Sequence, residues 1–341
     1  MPELSDVDPQ EQRADLVPQE KAVAPEEKPK DEPRPEPRVR RLNIIGRRNV
    51  FFALSLLIII PGIISMVSRG FLLGIDFAGG TEFTVSFANN PSVAAVESAV
   101  AADPLTAGGT VIQTGAGGYI IRSLPLTPQQ QALVEDDLTK RVGPMVVQQV
   151  IEVGGTIARE TIEFALLALV LASAAILFLL AIRFRNVPGG WRAGFQFGGS
   201  ALAALLHDVF LLTGLFSIMG KVLGLRIGEI DSLFVTAVLT VVGFSVHDTI
   251  VVFDRIRENL RHSQRLSFEQ VVNLSIMQTA ARSIITSFTV VLVLAAILIS
   301  GGTTLKGFAL ALLIGIVSGT YSSIFNASPL LVVWRRVQPL R

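Results

Sequence analysis

The chain has 341 residues, of which 50% are hydrophobic and 17% are charged, and its mean hydropathy is +0.55. This composition is typical of a membrane protein and excludes an ordinary soluble domain. The formal net charge of +1 averages an acidic, proline-rich head with basic flanks around apolar segments, so it does not indicate a nucleic-acid-binding protein. The absence of cysteine excludes disulfides, thiolate nucleophiles and cysteine-ligated zinc.

The first 41 residues are predicted to form a disordered cytoplasmic tail. Residues 1–37 hold eight prolines, many Glu and Asp residues and no aromatic residue. Such a segment cannot bury enough apolar surface to fold alone. The apolar segment that follows has near full span length and no clear small-residue cleavage site, so we interpret it as a retained anchor rather than a signal peptide.

Six apolar segments are long enough to cross a bilayer. They lie near residues 49–67, 162–182, 195–219, 232–253, 283–300 and 307–333. Backbone groups in hydrocarbon must be satisfied within their own segment, so all six are predicted to be helices. The expected fold is an all-α membrane bundle of six transmembrane helices, the first at 42–69 and the others at 159–335, with a cytoplasmic tail at 336–341.

The orientation follows from the Lys and Arg residues of the short loops, because cytoplasmic loops carry an excess of both. One set of helix ends is rich in arginine: Arg38, Arg40, Arg41, Arg47, Arg48, Arg183, Arg185, Arg192, Arg255, Arg257, Arg261, Arg265, Arg335 and Arg336. The short loops at the other ends of the helices carry only Lys221, Arg226 and Lys306. Both termini are therefore predicted to be cytoplasmic.

The long connection at 70–158 is predicted to fold as a small extracytoplasmic domain. Alternating apolar residues and turn residues indicate strands at 81–87, 109–113, 119–123 and 145–153, with the second and third joined around Gly115, Gly117 and Gly118. Helices are predicted at 91–102 and 127–142, the latter capped by Thr127 before Pro128. The order βαββαβ indicates a ferredoxin-like α+β domain. The segment shows no nucleophile–base pair, metal cluster or phosphate loop, which favours a binding or mechanical role over catalysis.

The fourth apolar segment contains an aspartate, Asp248, whose presence inside a membrane costs about 2.5–3.5 kcal/mol on insertion scales. Depths are counted inward from the outer ends of the two helices, Ser232 and Ser300, at 1.5 Å per residue. Asp248 then lies about 24 Å from Ser232, and Arg282 lies about 27 Å from Ser300. The similar depths make Arg282 its predicted partner, either in a proton-linked site or in a static ion pair. His247 adds a group that titrates near neutral pH but points about 100° away around the helix.

A second His-Asp pair, His207 and Asp208, lies in the third segment. Together with Thr249, these residues are secondary candidates for the proton site. A metal site is disfavoured because neither pair has the i, i+4 spacing that places two ligands on one helix face. An aspartyl protease, in which two carboxylates share a proton, is disfavoured because the Gly-x-Gly-Asp turn is missing. No metal and no cofactor are therefore predicted.

Two further patterns have open interpretations. Small residues at 194–199, 315–319 and 322–323 favour either plain helix packing or an interface that moves. The segment DRIRENLRHSQR at 254–265 is predicted to be a basic helix that lies on the inner leaflet or against a partner, or that only enforces the topology.

Three motifs resemble the SecD/SecF family of membrane proteins. GIDFAGGTEF at 74–83 is similar to its Asp-Phe-x-Gly-Gly-Thr signature, and ALLHDV at 204–209 and GFSVHDTIVVFDRIREN at 243–259 are similar to the third-span and fourth-span motifs of the SecF branch. The resemblance covers residues 40–335. Phe244 and His247 stand where SecF proteins commonly have Tyr and Asn.

The resemblance implies an accessory subunit, related to the resistance-nodulation-division transporters, that acts with SecD beside the SecYEG channel and SecA. It implies use of the proton gradient to help move unfolded preproteins across the cytoplasmic membrane, with no hydrolytic chemistry of its own. Carried onto this chain, Asp248 becomes the proton-responsive carboxylate and Arg282 its basic modulator, both facing SecD. The alternative reading is a proton-coupled exporter of a small molecule or lipid.

The resemblance also assigns two sets of motif residues. Gly79 and Gly80 are expected to serve backbone geometry rather than chemistry. The base of the external domain is assigned to Asp76, Phe77, Gly79, Gly80 and Thr81. The motif at the cytoplasmic side is assigned to Asp254, Arg255, Arg257, Glu258 and Asn259. Expected partners are SecD, SecYEG with SecA, preprotein, membrane lipids and protons, and no nucleic acid.

Overall fold

The computed structural model describes residues 42–114, 117–262 and 265–339. The predicted tail at 1–41, Gly115 of the predicted hairpin and the last two residues lie outside the described residues. Six helices within them are long and apolar enough to cross a membrane, which confirms the predicted number. They cover Ile45–Arg69, Gly155–Arg183, Gly190–Val222, Ser232–His262, Phe268–Ser300 and Leu305–Val337.

The described chain begins with the first span of this bundle, then forms a small sheet domain, and then returns to the bundle for the remaining spans. In chain order they are α1 (Arg48–Arg69), α2 (Ile75–Ala78), β1 (Gly80–Phe87), α3 (Val93–Ala102), β2 (Thr110–Gln113), β3 (Gly118–Ser123), α4 (Pro128–Val142), β4 (Met145–Val153), α5 (Gly155–Arg183), α6 (Gly190–Ser217), α7 (Ser232–His262), α8 (Phe268–Ser300), α9 (Thr303–Ser322) and α10 (Ser328–Val337). A short 3-10 turn precedes α1, and π-helical turns follow α6 and join α9 to α10.

The sheet domain has the predicted strand and helix order, preceded by the four-residue helix α2. Its antiparallel sheet has the order β2-β3-β1-β4, with a register irregularity between β1 and β4 at Thr84 and Val85. Thr127 forms a capping box with Gln130 at the start of α4, as the sequence indicates. The core contains Phe83, Val85, Phe87, Val96, Val100, Tyr119, Ile121, Val134 and Leu138. The four-stranded sheet is thus confirmed, and the ferredoxin-like classification stays a prediction.

The predicted basic helix at 254–265 is helical to His262 in the described residues, as a continuation of α7 rather than a separate helix, and its contact with the inner leaflet or with a partner stays a prediction. Neither Gly nor Pro interrupts the chain here, and two polar side chains find partners in other helices. Asp254 pairs with Arg183 of α5 at 2.9 Å, and buried Asn259 donates to Ser275 Oγ of α8 at 2.8 Å. The end of α7 therefore packs against the bundle instead of separating from it.

The helices approach one another closely where small residues meet. A Cβ at Gly315 of α9 would lie 2.2 Å from Val241 Cγ2 of α7, and one at Gly319 would lie 3.0 Å from Ser245 Cβ. A Cβ at Gly315 would clash with Val241 and one at Gly319 would be tight against Ser245, so the two glycines favour this close approach of α9 to α7. Elsewhere, Phe184, Phe197 and Phe253 join α5, α6 and α7 through stacked and edge-on ring contacts. The bundle core therefore centres on α6, α7 and α9.

Candidate functional site

Asp248 lies in the middle of α7 and faces α8. Its side chain is largely buried, with 7% of the residue surface exposed. Oδ1 accepts a hydrogen bond from Ser283 Oγ of α8 at 2.5 Å, whereas Oδ2 has no hydrogen-bond partner among the described residues. A buried carboxylate with one donor is poorly compensated when ionised. This arrangement can readily accept a proton.

The predicted ion pair between Asp248 and Arg282 is not formed within the described residues. Ser283, the next residue of α8, faces the carboxylate, while Arg282 is exposed and lines a cavity of about 440 Å³ with Asp254, Arg257 and other residues between α7 and α8. The depth estimate placed Arg282 near Asp248, but consecutive residues of a helix point about 100° apart.

Asp208 of α6 is surrounded by hydroxyl groups from two other helices. Only 1% of its surface is exposed. Oδ2 accepts hydrogen bonds from Ser245 of α7 at 2.7 Å and from Ser322 of α9 at 2.6 Å, and Oδ1 accepts one from Ser318 of α9 at 2.7 Å. Asp208 therefore ties α6 to α7 and α9, in contrast to the single bond of Asp248.

The two candidate histidines, His207 and His247, differ in their environment. His207 Nδ1 lies 3.1 Å from Asp208 Oδ1, its ring stacks near Tyr321, and its buried Nε2 has no hydrogen-bond partner among the described residues. His247 is exposed on the other side of α7. No group of three or more His, Cys, Asp or Glu side chains that could hold a metal occurs in the described part of the chain.

Near Asp208, α9 and the turn after it also meet α7 and α8 through hydroxyl side chains. Thr249 donates to the carbonyl of Ser245, and its hydroxyl lies 2.8 Å from that of Ser323 in the π-helical turn after α9. A similar pair, Ser287 of α8 and Thr320 of α9, is 2.5 Å apart. Thr249 thus belongs to the hydroxyl cluster on the Asp208 side of α7, and Asp248 lies toward α8.

The segment between α1 and β1 joins the sheet domain to the bundle. Asp76 accepts a hydrogen bond from the backbone of Ser232 at 2.9 Å, and Phe77 is buried in the bundle core. Gly79 and Gly80 have φ values of +70° and +129°, which L side chains rarely adopt. Thr81 Oγ1 accepts from the backbone of Leu126 at 2.9 Å. The segment therefore fixes the start of the sheet against the membrane helices.

An ion-pair network connects the sheet to the loop before α7. Arg122 of β3 pairs with Glu82 of β1 at 2.5 Å and with Glu229 of the loop at 2.7 Å. Arg226 lies 3.5 Å from Glu229. Burial is the largest single effect and lowers the pKa of Arg122, but the hydrogen bonds and attraction to Glu229 and Glu82 together outweigh it, so the pKa is raised. Beside this network lies a cavity of about 420 Å³ between the sheet and the bundle.

The motif at the opposite, arginine-rich end of α7 makes ion pairs and hydrogen bonds. Asp254 also lies 3.4 Å from Arg257, and Arg255 pairs with Glu258 at 2.6 Å. Arg255 and Asn259 both donate to Gln278 of α8. The motif residues thus hold this end of α7 against α5 and α8.

Replacing Asp231 with asparagine is expected to stabilise the protein at neutral pH. Burial raises the pKa of Asp231 above its ordinary value of 3.8, helped by Glu229 and Asp76 and opposed by the hydrogen bond from Phe234. The folded protein thus binds the proton more tightly than the unfolded chain does, so its free energy of unfolding falls as pH rises from about 3.8 through the raised pKa. Asparagine removes this loss and can still cap α7.

Thermal unfolding of wild type and Asp231→Asn at several pH values checks this expectation. The difference in melting temperature should be largest at neutral pH and should vanish once the pH falls below both pKa values. A variant that is less stable than wild type at neutral pH would contradict it.

Sequence reasoning missed the partners of both aspartates and the role of Arg122. Apart from its place next to Arg282, nothing in the sequence indicated that Ser283 is the partner of Asp248. The serines around Asp208 could have been predicted in part, because Ser318 and Ser322 are four residues apart in an apolar helix and therefore share a face. Nothing in the sequence paired Arg122 with Glu229, which lies in a distant loop.

Two family models match the chain. The model for the SecD/SecF protein export membrane protein, C-terminal region, matches residues 134–337, and the model for the SecD/SecF GG motif matches residues 64–90. The first spans α5 to α10 with both aspartates, and the second spans the segment that contains Asp76.

Similar proteins cover most of the chain. A protein translocase subunit SecF from Thermobaculum terrenum is 45% identical over 313 residues, which is 88% of this chain and 96% of the relative. A SecF subunit from Anaerolinea thermophila is 42% identical over 296 residues, covering 86% of this chain and 94% of the relative.

A solved structure has the same fold. The crystal structure of SecDF, a translocon-associated membrane protein from Thermus thermophilus, matches with a TM-score of 0.75 and 31% identity over 87% of this chain. The chain spans 39% of the length of that SecDF chain. On the family models and the closely matching relatives, the chain belongs to the SecF branch of the SecD/SecF family of protein export membrane proteins.

Proposed function

We propose that this chain is an accessory subunit of the Sec translocase that acts with SecD and uses the proton gradient to promote translocation of secreted polypeptides. Its relatives are named as protein translocase subunits, and the similar SecDF structure is described as translocon-associated. The observation that carries the mechanism is the carboxylate of Asp248, buried in α7 with one oxygen lacking a partner among the described residues. The exporter of a small molecule or lipid is not favoured by these relatives.

Proton binding at Asp248 changes the contact between α7 and α8. The ionised carboxylate attracts the Ser283 hydroxyl, and this bond weakens once a proton neutralises the charge. A transmembrane voltage of 100 mV changes the energy of a charge that crosses it by about 2.3 kcal/mol, which is enough to shift a two-state equilibrium. Asp248 thus supplies the proton-responsive group, and α7 is the helix that responds.

Arg282 and His247 take modulating roles in this proposal. Arg282 is exposed one residue from Ser283, so its long side chain can approach the Asp248 region when a partner covers this face. His247 is exposed one residue from Asp248 and lies on the face of α7 that a partner would cover. The Asp208 cluster, with His207 and Thr249, holds the other side of α7 while the Asp248 side changes.

The exposed face of α7 supports SecD as the partner that covers it. Thr236, Thr240, Gly243 and His247 are exposed and follow one another at intervals of three or four residues, so they share one face. Along the described length of α7, no large apolar side chain is exposed, whereas α1, α5 and α8 expose many. Small and polar residues of this kind are typical of contacts between membrane helices.

A bulky residue at the centre of this face is expected to reduce assembly with SecD. A Cβ at Gly243 would meet no atom within 4 Å, so Gly243→Trp fits the isolated chain and projects into the partner's space. The yield of SecD that copurifies with the chain should fall at least fivefold, which corresponds to about 1 kcal/mol of lost affinity. Leu292→Trp is the control and should leave the yield unchanged, because Leu292 is 54% exposed on an apolar face of α8 that can contact lipid. Equal SecD recovery from both variants would contradict the assignment of this face.

The proposed orientation places the arginine-rich end of the bundle in the cytoplasm. Both termini and the Asp254–Asn259 motif then lie at the cytoplasmic side of the cytoplasmic membrane, and the sheet domain at 70–158 lies outside. In this orientation the sheet domain can contact preprotein that emerges from SecYEG, driven by SecA, and the spans contact lipids. The chain supplies proton-driven movement and no hydrolytic chemistry of its own. Export of a secreted reporter into membrane vesicles that contain SecD, compared between wild type and Asp248→Asn with and without a proton gradient, tests the proposal.

A further inference from the structure

Asp76 connects the sheet domain directly to the first residue of α7. Its Oδ2 accepts a hydrogen bond from the backbone N–H of Ser232 at 2.9 Å. The first N–H groups of a helix have no partner inside the helix and attract a carboxylate. Asp231 caps the neighbouring position by accepting from the backbone of Phe234 at 2.8 Å. The N-terminus of α7 is therefore held by one carboxylate from its own loop and by one from the base of the sheet domain.

Backbone pairing fixes Asp76 in this position. The backbone of Gly74 donates to Ile230 at 2.7 Å, and Ile230 donates to Leu72 at 2.8 Å. A Cβ at Gly74 would lie 2.8 Å from Asp231 Cβ, so a larger residue would push the two segments apart. The segment before β1 is thus attached to the loop before α7 by both backbone and side chain.

The remaining contact between the sheet and this loop is narrow. Arg122 reaches Glu229 at 2.7 Å, and the cavity of about 420 Å³ separates the sheet from the bundle beside this ion pair. Its walls include Gln113 and Ile151 on the sheet side and Lys306 on the bundle side. The space allows the sheet to tilt about its attachment when α7 moves.

We propose that Asp76 is the positioning residue that transmits movement of α7 to the sheet domain. This inference rests on the proposed function of Asp248. The helix runs without interruption from Ser232 to His262, so a shift at Asp248, about 24 Å along the axis, reaches Ser232 and its bond to Asp76. Asp76 does not touch Asp248, whose one hydrogen-bond partner in the described residues is Ser283. It acts through the end of the helix.

A distance measurement across the cavity tests the inference on the full chain assembled with SecD in lipid. The chain has no cysteine of its own, so spin labels on it attach only to two introduced cysteines, Gln113→Cys and Leu305→Cys, both at exposed positions. The comparison of wild type with Asp248→Asn, which mimics the protonated state, gives the reference shift in the label distance. Asp76→Ala should reduce this shift at least twofold, whereas Asp76→Asn should retain most of it, because the amide oxygen still accepts from Ser232.

The control removes a helix cap of the same kind elsewhere in the sheet domain. Ser92 is exposed and caps α3 by accepting from the backbone of Ala95, so Ser92→Ala should leave the shift unchanged. A full shift in Asp76→Ala would overturn the inference and leave the proposed function standing. If Asp248→Asn produces no shift with Asp76 intact, the proton-driven movement itself is refuted, and the inference falls with it.

Discussion

Replacing Asp248 with asparagine is expected to abolish the stimulation of protein export by a proton gradient while the protein stays folded and inserted. Asparagine has the same shape and can keep a hydrogen bond to Ser283, but it cannot gain or lose a proton. One charge that crosses 100 mV is worth about 2.3 kcal/mol, or roughly fiftyfold in an equilibrium. Loss of the charge should therefore remove a stimulation of export that is up to roughly fiftyfold.

Export of a secreted reporter into membrane vesicles that contain SecD measures this effect, with and without an imposed gradient. Ser283→Ala should retain stimulation, because the carboxylate remains able to bind a proton. Asp136→Asn, on the exposed surface of α4, is the control for loss of an aspartate and should behave as wild type. Equal stimulation of wild type and Asp248→Asn would show that Asp248 is structural and would remove the proton-driven mechanism.

The sequence predicted the architecture well, because a membrane leaves few alternatives. Apolar length alone identified six helices, and alternation located each strand within one residue of its observed bounds. Polar ends of helices were harder to predict, since they depend on partners. The apolar pattern of α7 ends at Phe253, yet the helix continues to His262, because Asp254 and Asn259 bond to other helices.

The sixth predicted span shows another limit. It divides into α9, a π-helical turn at Ser323–Ala327 and α10, which has Pro329 in its first turn. Proline has no N–H and cannot continue an ordinary helix without a local adjustment. The prediction of a single span at 307–333 did not take Pro329 into account, and the form of the disturbance depends on packing that the sequence does not describe.

The candidate site was predicted in part. A charge in an apolar helix identified Asp248, and helical rise gave the depth of Arg282 correctly enough to suggest a pair. Which residue of α8 faces α7 depends on how the two helices pack, and the structure places Ser283 there. The hydroxyl groups around Asp208 come from α7 and α9, so they become visible only when three helices are placed together.

Asp208→Ala is expected to destabilise the bundle more than Asp248→Asn does. The carboxylate accepts from Ser245, Ser318 and Ser322, so its removal takes this acceptor away from three buried hydroxyl groups. Hydrogen bonds between membrane helices average about 0.6 kcal/mol each, which gives a loss of about 2 kcal/mol. Thermal unfolding of the purified complex should show a melting temperature lower by several degrees.

The asparagine variants separate the roles of the two aspartates. Asp208→Asn keeps one acceptor oxygen and should lose part of this stability, whereas Asp248→Asn keeps its only hydrogen bond and should lose little. A melting temperature of Asp208→Ala equal to that of wild type, or a larger loss in Asp248→Asn, would contradict this assignment. The expected result makes Asp208 a structural residue that holds α7 against α6 and α9. Proton-driven movement is then confined to the side of α7 that faces α8.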